Sequence, residues 1–158
     1  MKLSIRQMTQ SDAETIAGWH YEPPYSFYDA TADADDLHLL LDAGTREGRS
    51  FSAFDDAGEL VGFFEYKPGG DEMEIGLGLR PDLTGRGLGR EFVDAGLAYG
   101  RERFRPTRFR LAVATFNERA IRVYERAGFE RVREYDHETN GGRHRFLEMA
   151  GPAEPGVR

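Results

Sequence analysis

The sequence predicts an α/β domain: a single mixed, mostly antiparallel twisted sheet of about six to seven strands, flanked by about four helices. Three observations carry that prediction. Short runs of alternating apolar residues recur, with Gly- and Asp-rich turn signals between them. Two segments with helical spacing, near 87–103 and 118–127, each lie between such runs. The chain has 158 residues, the size of one domain, and a chain of this size buries roughly two-thirds of its unfolded surface. The domain is expected over 1–150, with a disordered tail over 151–158, where two glycines and two prolines fall together.

The elements follow in order. Leu3, Ile5 and Gln7 alternate with Ser4, Arg6 and Met8 as in a short strand. Ser11-Asp12, with Glu14 three residues after Ser11, supplies an N-cap, so a short helix is expected to about residue 19. Pro23 and Pro24 exclude regular helix from 19–29, and a second short helix is expected over 33–41. The runs 50–54 and 60–67 flank Asp55-Asp56-Ala57-Gly58 and read as a hairpin. A third strand, 72–80, follows the turn signal Pro68-Gly69-Gly70-Asp71. The long helix is expected at 87–103, with Leu88, Phe92, Ala95 and Tyr99 along one face. A strand at 108–114 and a helix at 118–127 follow, the helix stopped by Gly128. Strands at 131–137 and 143–149 are joined by Thr139-Asn140-Gly141-Gly142.

Composition narrows the chemistry. There is no cysteine, which excludes disulfides, thiolate metal sites and a thiol nucleophile and fits a reducing compartment. The first residues lack the apolar run of a signal peptide and no stretch suits a bilayer, so a cytoplasmic protein without membrane attachment is expected. Lys and Arg total 21 against 28 Asp and Glu, a net charge of −7, the opposite of a nucleic-acid binder's balance. An acidic surface suits a cationic small substrate and serves solubility equally well. His20, His38, His137 and His144 show no metal-ligand spacing, so no metal is expected.

The most informative stretch runs from Leu79 through Pro81, Thr84, Gly85, Arg86, Gly87, Leu88 and Gly89 to Arg90, between a strand and the long helix. Glycines at alternate positions let the backbone turn and present its N–H groups beside the positive helix end, a place for a phosphate or pyrophosphate. Arg86 and Arg90 add positive charge. No Lys-Ser/Thr pair follows, as a P-loop requires, and a dinucleotide fingerprint begun at Gly85 ends on Arg90 instead of glycine. A plain strand-to-helix turn remains open for the loop alone. Further on, Asn117 and Tyr124 lie seven residues, about two helical turns, apart and share a face. Capping explains Asn117 and half-burial explains Tyr124 equally well when each is taken by itself.

Together, Arg86-Gly87-Leu88-Gly89 and Asn117-x-x-Ala120-x-x-x-Tyr124-x-x-x-Gly128-Phe129 resemble the GNAT superfamily of acetyl-CoA-dependent N-acyltransferases, as does the order of elements. The family often carries Gln or Arg where Thr84 stands. The resemblance implies an acyl-CoA N-acyltransferase fold with acetyl-CoA as cosubstrate. The pyrophosphate would lie on the backbone from Gly85 to Arg90, near Thr84, and the pantetheine arm would pair with Leu77 and Leu79. It further implies that Asn117 and Ala120 contact the cofactor arm, and that Tyr124 contacts it and is the general acid; a tyrosine, with a pKa near 10, stays protonated at neutral pH. Independently, Met73, Ile75, Leu77 and Leu79 alternate onto one strand face and leave Glu74, Gly76 and Gly78 on the other, bare enough for a ligand or for a bulky neighbour.

Glu74, on that bare side, is the first choice of base for the attacking amine and Glu65 the second; a backbone N–H near Leu79 would hold the oxyanion. Trp19, Tyr25 and Tyr28, in the proline-rich loop, are the expected acceptor contacts. The implied reaction is direct attack by a primary amine of a small molecule within a ternary complex. A protein or peptide amino group as acceptor, and a non-catalytic acyl-CoA-binding module, stand as alternatives, and a homodimer is left open.

Overall fold

A computed structural model describes residues 2–152. The strands are β1 (Ser4–Gln7), β2 (Ser50–Phe54), β3 (Leu60–Gly69), β4 (Glu72–Leu79), β5 (Arg108–Ala114), β6 (Glu130–Thr139) and β7 (Gly142–Pro152). They form one seven-stranded sheet in the order β1-β2-β3-β4-β5-β7-β6. The helices are α1 (Gln10–Ala17), α2 (Ala34–Leu41), the short α3 (Ala43–Arg46), α4 (Gly89–Phe104) and α5 (Glu118–Arg126). The expected α/β class is therefore what the chain adopts. Gly151 and Pro152, expected in the tail, instead end β7, paired with Phe109 and Arg108; 153–158 lie outside the described residues.

Every neighbouring pair of strands is antiparallel except β4 and β5, which run parallel and are joined by α4, the crossover such a pair needs. Their ladder is short: only Glu72, Met73 and Glu74 pair, with Arg108, Phe109 and Arg110. Beyond that point the two strands part.

One sheet face carries Phe64, Tyr66, Ile75, Phe109, Leu111, Val113, Leu147 and Met149, packed with Phe92, Val93, Leu97, Ile121 and Phe129 in the main core under α4 and α5. The stripe that α4 buries is Phe92, Val93, Gly96, Leu97 and Gly100, rotated from the expected Leu88-Phe92-Ala95-Tyr99 face. Glycines carry no hydrophobic signal, yet here they let the helix approach the aromatic layer: a Cβ on Gly96 would sit 2.3 Å from the Phe64 ring. A smaller cluster of Met8, Ala13, Ile16 and Leu40, with Trp19 and Phe63 against it, closes the other face near α1 and α2.

The N-cap of α1 is Thr9, earlier than the Ser11-Asp12 cap expected. Thr9 Oγ1 accepts from the Asp12 amide at 3.1 Å and the Asp12 carboxylate accepts from the Thr9 amide at 3.1 Å, a reciprocal capping box. Asp12 wins this place because it also accepts from Ser52 Oγ at 2.9 Å and Arg6 at 3.0 Å. Burial pushes its carboxyl pKa up, but the Thr9 amide, the Ser52 and Thr9 side chains and Arg6 outweigh it and hold the pKa below the usual value. The resulting stabilisation is present above the unfolded pKa and is lost as pH falls through the lowered native one. Asp12→Ala is expected to cost about 1–3 kcal/mol in urea unfolding near neutral pH, with the difference from the parent shrinking in acid.

Asn140 (φ 51°) and Gly141 (φ 74°) both lie in the left-handed region, forming a tight two-residue turn between β6 and β7. That turn is tied to the loop after α1: the Asn140 amide donates to Asp33 Oδ2 at 2.8 Å, and Asn140 Nδ2 donates to the Phe27 carbonyl at 2.6 Å. No helix among the described residues is long and apolar enough to cross a membrane.

Candidate active site

Where β4 and β5 part, a cleft of about 320 Å³ opens between Ile75–Leu79 on one wall and Leu111–Val113 on the other. The Arg80 amide donates to the Val61 carbonyl on the β3 side at 2.8 Å, so alternation turns the peptide groups of Leu77 and Leu79 toward the gap. Across the gap, the Thr115 amide donates to the Arg145 carbonyl on the β7 side, so Ala112 and Ala114 face inward. The parting thus deprives a row of backbone donors and acceptors of ladder partners, and such groups need another partner.

The loop after α1 supplies partners at the mouth of the cleft. Tyr21 Oη donates to the Leu79 carbonyl at 2.8 Å, and Tyr28 Oη accepts from the Ala114 amide at 3.2 Å. Tyr21 is itself fixed by Asp29, whose carboxylate accepts from the Tyr21 amide at 2.8 Å and pairs with His20 Nδ1 at 3.0 Å. Burial, then the Asp29 charge, pushes the Tyr21 phenol well above its ordinary pKa, so it stays a donor. Tyr25 and Tyr28 line the cleft, whereas Trp19 packs into the α1–α2 cluster and against Phe63, ring centroids 6.3 Å apart. The loop anchors through Trp19 and presents its tyrosines.

At the donor end, Gly85 (φ 72°) and Gly87 (φ 79°) adopt the left-handed conformation that a side chain resists. Helix α4 then starts at Gly89 with Leu88 as N-cap and no side-chain cap bond, so its positive end directly follows the glycine loop. Thr84 Oγ1 donates to the Pro81 carbonyl at 2.7 Å, so its proton shapes the turn. Arg86 is exposed, and Arg90 pairs with Asp94 at 3.0 Å along the helix surface. The nearer cation is Arg119 of α5, whose guanidinium lies 4.1 Å over the Tyr25 ring and 3.2 Å from where a Gly85 Cβ would be.

Asn117 caps α5, its Oδ1 accepting from the Ala120 amide at 3.1 Å, while its Nδ2 donates to Tyr28 Oη at 3.3 Å. Ala120 and Tyr124 line the cleft one and two turns on. Tyr124 stands edge-on to Phe129, and burial, then the neighbouring Tyr28, pushes its phenol well above the ordinary value.

By register, Glu65 lies opposite Gly76, Lys67 opposite Glu74, and Phe63 opposite Gly78, all on one face. This face is less bare than the glycines suggested: a Cβ on Gly78 would sit 2.4 Å from the Phe63 ring. Over Gly76 lies the Glu65 carboxylate, with Oε2 3.7 Å from the equivalent point. Glu65 is exposed to solvent, as Glu74 is, although protein crowds its carboxylate. Burial, then the carboxylates of Asp36 and Glu74, raises its pKa. Glu74 is exposed.

Sequence reading passed over Tyr21, Phe63, Arg119 and Asp36. Arg119, two residues past the N-cap of a helix already implicated, carried a usable signal; the others act through contacts between distant segments. Among the described residues no group of three or more metal-ligating side chains comes together.

Comparison with known proteins bears on this geometry. The family described as an acetyltransferase (GNAT) domain matches residues 2–130. Mycothiol acetyltransferase from Propionibacterium freudenreichii subsp. shermanii is 41% identical over 87 residues, covering 51% of this chain and 27% of that protein. The enzyme of the same name from Rhodococcus jostii is 43% identical over 89 residues, covering 52% and 28%. This chain thus spans under a third of the length of these relatives. A chimera of the spermidine N-acetyltransferase SpeG from Vibrio cholerae and hSSAT superposes with a TM-score of 0.79 at 21% identity, covering 97% of this chain and 96% of that one. The Vibrio cholerae spermidine N-acetyltransferase in complex with CoA and spermine gives 0.75 at 19% identity, covering 97% and 96%. Both likenesses show a shared fold.

Proposed function

Because the chain belongs to the GNAT acetyltransferase family, we propose that it transfers an acetyl group from acetyl-coenzyme A to a primary amine of a small molecule. The observation that carries this reading is the parted β4–β5 seam, with its inward-facing peptide groups, beside an uncapped helix start. An extended amide-bearing arm with an anionic end matches both features. Arg119 adds the cation beside the loop, and the peptide groups of Leu77, Leu79 and Ala112 offer main-chain pairing. That the acceptor is small is supported by the tyrosine-lined mouth, pinned by Tyr21 and by the Asn140 turn, and by the names of the relatives.

The acetyl-CoA thioester supplies the activated acyl group. The chain's own residues then do three things. Glu65 takes a proton from the ammonium form of the acceptor, directly or through water, since only a neutral amine has a lone pair with which to attack. It is preferred over Glu74 because its raised pKa keeps it basic enough to hold that proton and because it lies over the cleft-lining Gly76. The Leu79 amide, turned into the gap, is the donor offered to the oxyanion. Tyr124 hands a proton to the departing thiolate as the C–S bond breaks. Tyr124→Phe is expected to lower kcat about 10²-fold while leaving the dissociation constant of acetyl-CoA, measured by calorimetry, nearly unchanged.

The reading is tested by following release of coenzyme A thiol from acetyl-CoA with pooled amines and a no-amine control. Release that depends on one pool supports the transferase. Acetyl-CoA that protects against thermal unfolding, with no release in any pool, redirects the assignment to a protein acceptor or a binding module.

A further inference from the structure

Tyr28 is held in an unusual way. Its hydroxyl oxygen accepts from two N–H donors, the Ala114 amide at 3.2 Å and Asn117 Nδ2 at 3.3 Å. A phenol has one proton to give and two places to accept. With both accepting places filled by groups that have no alternative role toward it, the remaining proton is the only bond the hydroxyl can still make. No acceptor for it occurs among the described residues, and the side chain lines the cleft. The two donors come from the end of β5 and the cap of α5, the helix that carries Tyr124. The corner that holds the Tyr28 oxygen is thus also the start of the helix that carries Tyr124. Each N–H on the Tyr28 oxygen draws electron density and strengthens the O–H as a donor.

Building on the transferase reading above, we propose that Tyr28 is a second catalytic hydrogen-bond donor, its hydroxyl delivered to the sulfur leaving acetyl-coenzyme A. As the amine nitrogen bonds to the acyl carbon and the tetrahedral adduct collapses, the C–S pair of electrons goes to sulfur. The ammonium proton that Glu65 took first passes to solvent, and Tyr124 transfers its proton to that sulfur. Glu65 takes the second proton as the adduct's nitrogen loses it, and solvent carries that one back to Tyr124. Tyr28 keeps its own proton throughout and bonds to the developing negative charge. Burial raises its pKa, which suits a group that must stay protonated.

The test reads the sulfur itself. Coenzyme A is bound to the parent, to Tyr28→Phe and to Asn117→Ser, and its thiol is titrated by thiolate absorbance. Serine keeps the α5 cap but removes the amide that donates to Tyr28. In Tyr28→Phe the bound thiol is expected to titrate about 1–2 pH units higher than in the parent, with Asn117→Ser shifted the same way by less. The kcat for amine acetylation falls about 10- to 100-fold in Tyr28→Phe, with KM for acetyl-CoA nearly constant. Identical titrations in parent and Tyr28→Phe overturn the proposal whatever the turnover; should Tyr28→Phe fail to fold, an unshifted Asn117→Ser does the same. A shifted thiol without any amine acetylated leaves the Tyr28 contact standing and overturns the transferase reading instead. Failure of coenzyme A to bind overturns both.

Discussion

Replacing Glu65 by glutamine is expected to lower kcat/KM for the amine about 10²–10⁴-fold, the usual contribution of a general base. Glutamine keeps the shape over Gly76 and the hydrogen-bonding reach, so the loss isolates proton transfer. The same carboxyl predicts where activity sets in with pH. Its pKa is raised first by burial and then by Asp36 and Glu74, and a base works only when deprotonated. The acid limb of the kcat/KM profile is therefore expected above the usual carboxylate range. Asp36→Asn removes one of the like charges and should move that limb to lower pH without abolishing turnover. Glu74→Gln should do the same more weakly, because the Glu74 charge acts on Glu65 less strongly than that of Asp36. A profile unchanged in Glu65→Gln would return the base assignment to Glu74.

A large effect on stability is expected at Gly96. In an ordinary helix interior, Gly→Ala is stabilising by about 1 kcal/mol. Here the added methyl would meet Phe64 at 2.3 and 2.5 Å. Phe64 is fully buried, stacked on Phe92 with centroids 4.4 Å apart and flanked by Tyr66. Tyr66 Oη also donates to the Gly96 carbonyl at 2.6 Å, which fixes the distance between helix and sheet. Neither ring has space to rotate away, so α4 must lift from the sheet. Overpacking of this kind costs about 1–3 kcal/mol, occasionally more, and the sign should oppose the propensity expectation. Gly96→Ala is expected to lower the urea midpoint, while Gly44→Ala, whose added atom meets nothing closer than 3.4 Å, should leave it near the parent value.

These two residues mark the border of what was legible. The glycine loop, the Asn117 cap and the order of strands and helices were readable because turn chemistry, capping and periodicity are local. The stripe of α4 was misplaced because its closest contacts are made by Gly96 and Gly100, which contribute no apolar signal. The α1 cap was placed two residues late because Asp12 is held from Ser52, forty residues on. Gly76 and Gly78 lack side chains of their own, but nothing nearby in sequence says that Phe63 covers Gly78 and Glu65 covers Gly76; that follows from the β3–β4 register. Tyr28 is expected at the site from the sequence, but its bond to Ala114 is not, and neither is that of Tyr21 to Leu79, since these partners lie 86 and 58 residues away. The parting of β4 and β5 leaves no local pattern at all, because two strands that separate look, one at a time, like two that pair.

That parting bears on how such a protein can diverge. The wall it opens is made of peptide groups, which every amino acid except proline presents alike. Substitutions at Leu77, Leu79 or Ala112 therefore leave the same peptide groups on offer to whatever pairs there, provided the strands stay apart. The mouth of the cleft depends instead on the identities of residues such as Tyr21 and Tyr25, where each replacement changes the chemistry on offer. Heritable variation is thus buffered along the seam and exposed to selection at the mouth, so the two can change at different rates.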